Sequence, residues 1–274
     1  MISPEIQSQL GAALPNALDR FEEIADRLGG RPLFVCLDYD GTLTPIVSDP
    51  MDAYLSTETR ASIRRLASVW PVAIVSGRAL NDVRELVGLD QIHYAGSHGY
   101  EIRSPSGEEF NLDDAWAYYP LIDSAERALR NALSSIPGAS VERKKFALAA
   151  HYRNVPDGLA DRVSEAVGGV SRDHPGLRRS SGKKIHEFRP EIDWDKGKAV
   201  RRIQKLIDSD SRGSIPVYIG DDTTDEDAFA EIQSDGIGVL VRDEDSSETA
   251  AAYALDSTDQ VREFLDQLAE MGDE

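Results

Sequence analysis

Apolar residues in this chain fall into short unbroken runs at residues 33–37, 72–75, 216–219 and 238–241, and recur at helical spacing between them. Runs of four or five apolar, partly β-branched residues, bounded by turn formers, predict strands buried on both faces of a sheet. Helices are predicted between them: one from Ser56 to about Val69, one over 79–87, one from Lys196 to Asp208 and one ending at Ile232. A further strand is expected at 92–95, a helix near 247–252 and a last helix over 259–269. The first segment, 3–28, carries Ile6, Leu10, Leu14, Leu18, Phe21, Ile24 and Leu28 on one helical face and stops at Gly29-Gly30. Pro15 is expected to bend or split it.

The alternation breaks between Tyr100 and Pro190. A hairpin is predicted around Pro105-Ser106-Gly107, then a helix over 115–135, and a strand pair from Val141 to Tyr152 meeting near Lys144-Lys145. A helix over 157–168 and a strand at 184–188 complete the segment. Antiparallel strands with two helices describe an inserted α+β unit. The expected fold is α/β: a doubly wound, Rossmann-like, mostly parallel sheet core over 1–100 and 190–274, interrupted by an α+β cap over 101–189.

Composition narrows the function. The 274 residues carry a formal charge of -19, which argues against nucleic acid or an anionic membrane as partner. No apolar run approaches the ~20 residues that cross a bilayer, and the first residues lack the basic and apolar regions of a signal peptide. The single cysteine, Cys36, lies inside a strand run and reads as a small buried hydrophobe; a chain without disulfides points to the cytoplasm. Of 30 basic residues only seven are Lys, none before Lys144, and most sit in the pairs 144/145, 183/184 and 196/198. An acidic, Lys-poor composition suits a high-salt cytoplasm.

Chemistry gathers at the strand ends. The run at 33–37 stops at Asp38-Tyr39-Asp40-Gly41-Thr42, the second at Ser76-Gly77-Arg78, and the run at 216–219 at Gly220-Asp221-Asp222-Thr223-Thr224-Asp225. Lys196 opens a helix. The carboxyl ends of strands in a doubly wound sheet converge on one edge, where ligands bind. Singly, each cluster has a plainer reading: turn aspartates, a helix N-cap at Ser76, a solvated helix face at Lys196 and Lys198. Together, crowded carboxylates call for a cation, and oxygen ligands suit Mg²⁺, held by Asp38, the Asp40 backbone carbonyl and Asp221. A cation beside Lys196 and a hydroxyl is a site for a phosphoryl group, and a carboxylate can act as its nucleophile.

These four clusters resemble the four motifs of the haloacid dehalogenase superfamily. Gly96-Ser97-His98-Gly99, His151-Tyr152-Arg153, Gly182-Lys183 with Glu187 and Arg189-Pro190, and Asp221-Asp222 with Asp225-Glu226 resemble, more narrowly, the trehalose-6-phosphate phosphatases. Eukaryotic phosphomannomutases share the first motif but space the fourth differently. The resemblance implies an enzyme, a phosphoric monoester hydrolase of trehalose biosynthesis that uses Mg²⁺ and an aspartyl-phosphate intermediate. It implies Asp38 as nucleophile, Asp40 as acid and then base, and Ser76 and Lys196 on the phosphate oxygens. Asp221 would complete the metal site of Asp38 and Asp40, supported by Asp222 and Asp225. Gly77, Arg78, Lys144, Arg153, Lys183 and Glu187 would bind the substrate, a small-molecule sugar phosphate. His98 and His151 are expected to hold structural hydrogen bonds where the two domains join. No synthase segment accompanies the motifs, so the resemblance implies a stand-alone phosphatase in transient contact with a separate trehalose-6-phosphate synthase. Two alternatives share the pattern: a phosphatase of another sugar or glycosyl phosphate, and a non-catalytic regulatory subunit of a trehalose synthase complex.

Overall fold

β1 (Leu33–Leu37) and β10 (Ile215–Gly220) lie side by side and parallel, Leu33 opposite Ile215 and Leu37 opposite Ile219. Every residue of both is buried. This computed structural model describes residues 14–47, 52–182, 184–208, 213–242 and 249–273. They form two compact units. The first holds the described residues up to Val75, Leu86–Tyr94 and those from Asp195 onward; the second holds Ser76–Glu85 and Ala95–Trp194.

In the first unit β1 is flanked by β2 (Val72–Val75) on one side and by β10, β11 (Ile237–Val241) and β12 (Tyr253–Leu255) on the other, all parallel. The chain leaves β1 in one direction and β10 in the other, so the strand order reverses between them. That reversal opens a crevice at the carboxyl ends, where doubly wound sheets bind ligands. The helices include α1 (Phe21–Leu28), α2 (Thr57–Val69), α6 (Lys196–Ile207), α7 (Glu226–Ile232) and α8 (Thr258–Asp273). α2 packs against α8 and α6 against α7. The Ser56 hydroxyl accepts from the Thr59 amide and fixes the start of α2, as its sequence predicts.

α3 (Leu80–Val87) and β3 (His93–Gly96) run from one unit into the other. The second unit carries a hairpin of β4 (Glu101–Arg103) and β5 (Glu109–Asn111) and a four-stranded antiparallel sheet. That sheet is ordered β6 (Ser140–Arg143), β7 (Leu148–His151), β9 (Ile185–Pro190), β8 (Leu177–Gly182). α4 (Tyr119–Leu133) and α5 (Ala160–Asp173) bury one of its faces through Ile122, Leu129, Val163, Val167, Leu148 and Phe188. Because strand side chains alternate, Glu187 and Arg189 project to the other face.

Four expectations change. The segment before α1 is helical only from Phe21; Asn16 bridges to Ala254 instead, and residues 1–13 lie outside the described set. β8 was not expected, because Arg178, Arg179, Ser180 and Ser181 give an edge strand no apolar alternation. The helix expected near 247–252 is absent from 249–252, and the chain goes directly into β12. α5 runs to Asp173, five residues past its predicted end. Among the described residues no helix is long and apolar enough to cross a membrane.

Phe188 is fully buried against both helices of the second unit. Phe188→Ala is expected to destabilise that unit by about 3–5 kcal/mol, read as a lowered urea midpoint.

Candidate active site

The end of β1 delivers Asp38 to the crevice while its backbone still belongs to the sheet: its amide donates to the Ile219 carbonyl at 2.9 Å. The chain then turns tightly. The Gly41 amide donates to the Thr44 carbonyl at 2.8 Å, and those of Leu43 and Thr44 to the Tyr39 carbonyl. Gly41 has φ +89°, and a Cβ there would lie 2.0 Å from Asp221 Oδ2, so only glycine lets the two loops meet. Across that gap Thr42 Oγ1 donates to Asp221 Oδ1 at 3.1 Å.

Lys196 is the first residue of α6, and its N-cap is Asp195, whose side chain accepts from the Lys198 amide. This cap turns the first helical residue inward. Lys196 is 3% exposed and donates at 2.7 Å to both Asp38 Oδ1 and Asp225 Oδ1. The solvated-face reading therefore fails for Lys196 and holds for Lys198, which is partly exposed and paired with Asp195.

Asp225 is completely buried and takes four hydrogen bonds: Lys196 and the Tyr218 hydroxyl (2.6 Å) on Oδ1, and the Asp221 and Asp222 amides (3.1 and 2.9 Å) on Oδ2. Gly220 makes room for it, since a Cβ there would meet Asp225 Cγ at 2.4 Å. Asp222 itself is exposed, its Oδ1 accepting from the Thr223 amide and hydroxyl.

Oxygens of Asp38, Asp221 and Asp225 lie within 4.8 Å of one another. Three carboxylates around one ammonium leave two excess negative charges in a buried place. Burial, and then the neighbouring Asp225 charge, push Asp221 up to about 7. Burial likewise raises Asp38 against the pull of Lys196. Lys196 itself stays charged, because Asp225 and Asp38 outweigh the effect of its burial. A hard divalent cation among these oxygens would relieve both carboxyls, so the donor set fits a metal. Asp40 lies in the turn, half-buried, its backbone bridged to Thr44.

The second unit builds a cluster of its own. Glu187 Oε1 accepts from Lys144 Nζ at 2.6 Å, and Oε2 lies 2.9 Å from His98 Nε2. The Lys144 ammonium also donates to the Gly77 carbonyl at 2.8 Å. Arg189 Nε is 3.8 Å from Glu187 Oε2. Burial would raise the Glu187 carboxyl, but Lys144, His98 and Arg189 together hold it well below the usual range. Ser97 and His98 both have positive φ, a strained turn fixed by their amides donating to the Arg78 and Ser76 carbonyls. The His98 ring sits against Gly77, where a Cβ would come within 2.9 Å.

Ser76 is buried, and its Oγ accepts from the Arg78 amide at 3.1 Å; α3 begins only at Leu80, so Ser76 does not cap it. Arg153 is exposed in the turn after β7, and Lys183 lies outside the described residues. His151 holds a 2.7 Å hydrogen bond to Glu142, and His98 holds the one to Glu187; both bonds lie within the second unit, not where the two domains were expected to join. Cys36 is buried, its thiol pushed up by that burial. Tyr218, hidden in an apolar run, went unnoticed in the sequence, whereas Thr42 and Arg189 stood there within motifs but without a role of their own.

The trehalose-phosphatase family model matches residues 36–259. The chain is 43% identical over 263 residues to a trehalose-phosphate phosphatase of Mycolicibacterium paratuberculosis, covering 94% of this chain and 67% of that one. It is 42% identical over 261 residues to a probable trehalose-phosphate phosphatase 4 of Oryza sativa subsp. japonica, covering 93% and 71%. Among solved structures it is similar to the C-terminal domain of a C. albicans trehalose-6-phosphate phosphatase, with TM-score 0.78 and 25% identity over 95% of this chain and 99% of that one.

The depressed Glu187 carboxyl makes a pH prediction. In the unfolded chain Glu187 takes up a proton near pH 4.3, whereas in the folded one it stays ionised to lower pH. Its contribution is thus present above the unfolded value and lost as pH falls through the folded one. Calorimetric melting of Glu187→Gln should show a lower midpoint at pH 6 and a shallower decline than the native chain below pH 4.5.

Proposed function

This chain belongs to the trehalose-phosphatase family, and from that premise we propose that it hydrolyses trehalose 6-phosphate to trehalose and phosphate. The observation that carries the reading is the set of buried Asp38, Lys196 and Asp225 with half-buried Asp221 at the point where strand order reverses. Phosphoryl transfer asks little covalent work of a protein beyond a nucleophile; it depends on positioning and on fixed charge around the equatorial oxygens.

In this reading Asp38 attacks phosphorus through Oδ2, the oxygen that Lys196 does not hold. An O–P bond forms to Asp38 as the bond to the sugar oxygen breaks, and Asp40 gives that oxygen its proton. Asp40 then takes a proton from water as the water oxygen attacks the aspartyl phosphate. Phosphate leaves and the Asp38 carboxylate returns. Ser76 Oγ and Lys196 Nζ are assigned the phosphate oxygens. We assign the cation as Mg²⁺, held by Asp38, the Asp40 backbone carbonyl and Asp221, with Asp222 and Asp225 in support. When bound it supplies charge neutralisation for the transferring group.

Gly77, Arg78, Lys144, Arg153, Lys183 and Glu187 are assigned to the substrate, and residues 101–189 to the choice of sugar. Charged groups that make directed hydrogen bonds discriminate hydroxyl patterns well. The expected location is the cytoplasm, with a transient contact to a separate trehalose-6-phosphate synthase.

Phosphate release measured over a sugar-phosphate panel should favour trehalose 6-phosphate, vanish with EDTA and return with Mg²⁺. Asp38→Asn should abolish turnover, and Asp40→Asn should lower kcat by about 10²–10⁴-fold. Near-normal turnover by Asp38→Asn would overturn the aspartyl-phosphate route, and preference for another sugar phosphate would overturn the substrate.

A further inference from the structure

We propose that Tyr218 is a positioning residue whose hydroxyl fixes Asp225 as the partner of Lys196 and so keeps Asp225 out of the cation's ligand set. The inference rests on the reading of the Asp38–Asp221 pair as a cation site, and concerns a residue that touches neither cation nor substrate.

Tyr218 lies on β10, two residues ahead of Gly220, with its ring fully buried and edge-on to Phe229 at 5.6 Å. Strand alternation sends its side chain beneath the Asp221 loop, and its hydroxyl reaches Asp225 Oδ1 at 2.6 Å. Lys196 Nζ shares that oxygen at 2.7 Å, and two backbone amides occupy Oδ2. Asp225 nevertheless has an oxygen within 4.8 Å of both Asp38 and Asp221. A small rotation about its side-chain bonds would offer a third carboxylate to a cation there. What opposes the rotation is the loss of its donors, and Tyr218 is the one neutral side chain among them.

The consequence is selectivity by ligand count. Mg²⁺ takes few protein ligands and keeps several waters, whereas Ca²⁺ is larger, takes six to eight oxygens and gains from an extra carboxylate. With Asp225 fixed, the site offers the small number that suits Mg²⁺. With Asp225 released, Lys196 loses one of its two anchors and the site gains a ligand that Ca²⁺ uses better.

Tyr218→Phe tests this with the ring packing kept. Mg²⁺ and Ca²⁺ are titrated separately by calorimetry into the full-length protein without any sugar phosphate, alongside a melting curve to verify folding. The expected result is a rise of about tenfold in the Ca²⁺-to-Mg²⁺ affinity ratio, accompanied by a kcat about 10–100-fold lower at unchanged KM. In the double variant Tyr218→Phe/Asp225→Asn, which removes the surplus charge, the ratio should fall back toward that of the native chain. An unchanged ratio in folded Tyr218→Phe overturns the proposal whatever happens to kcat. The titrations contain no substrate, so an error in the substrate assignment appears only in the phosphate-release panel.

Discussion

Asp225 is a carboxylate with no exposure to water, and the crevice of the first unit is arranged around its two oxygens. An isolated buried charge costs several kcal/mol, so it persists only where hydrogen bonds replace its hydration. Here an ammonium from α6, a hydroxyl from β10 and two amides of the following loop converge on its two oxygens. The donors belong to three local elements, so that one side chain ties together the first residue of α6, β10 and the loop that follows it. Gly220 follows from the same constraint, because any side chain there would occupy the space of the carboxylate.

The second unit uses a buried carboxylate differently. Glu187 is surrounded by Lys144, His98 and Arg189, and its charge is more than matched. Its carboxyl is held down, while Asp38 and Asp221 are pushed up. The contrast separates two kinds of site. A carboxylate cluster with a charge surplus lacks a partner that must come from solution. A carboxylate already paired is a fixed acceptor, held in place by its donors and in no need of a further cation.

How much of this could be read from the residues depended on how local its cause was. β1, β2, β10 and β11 were legible because strands covered on both faces must be apolar throughout. Asp38 and Asp221 were legible because they terminate such runs. β8 was not, since an edge strand with Arg178, Arg179, Ser180 and Ser181 carries no periodic signal. β12 was too short, at three residues, to outweigh the helix-forming residues before it. Lys196 looked like a solvated lysine because its burial is decided by two acidic side chains, one 158 and one 29 residues away. Tyr218 looked like core for a sound reason: its ring is core, and only its hydroxyl belongs to the site.

The charge of the whole chain bears on how that site meets its ligand. A protein of net charge -19 concentrates cations near its surface and repels phosphate esters. Lys196 cannot reverse this, because both flanking carboxylates already engage it. A divalent cation there would cancel the local surplus. The acidic composition and the acidic cluster thus act in one direction, both favouring a cation over an anion. The scarce lysines fit that division: among the described residues, one member of a pair faces the carboxylates of the crevice while another, Lys144, is committed to Glu187 in the second unit.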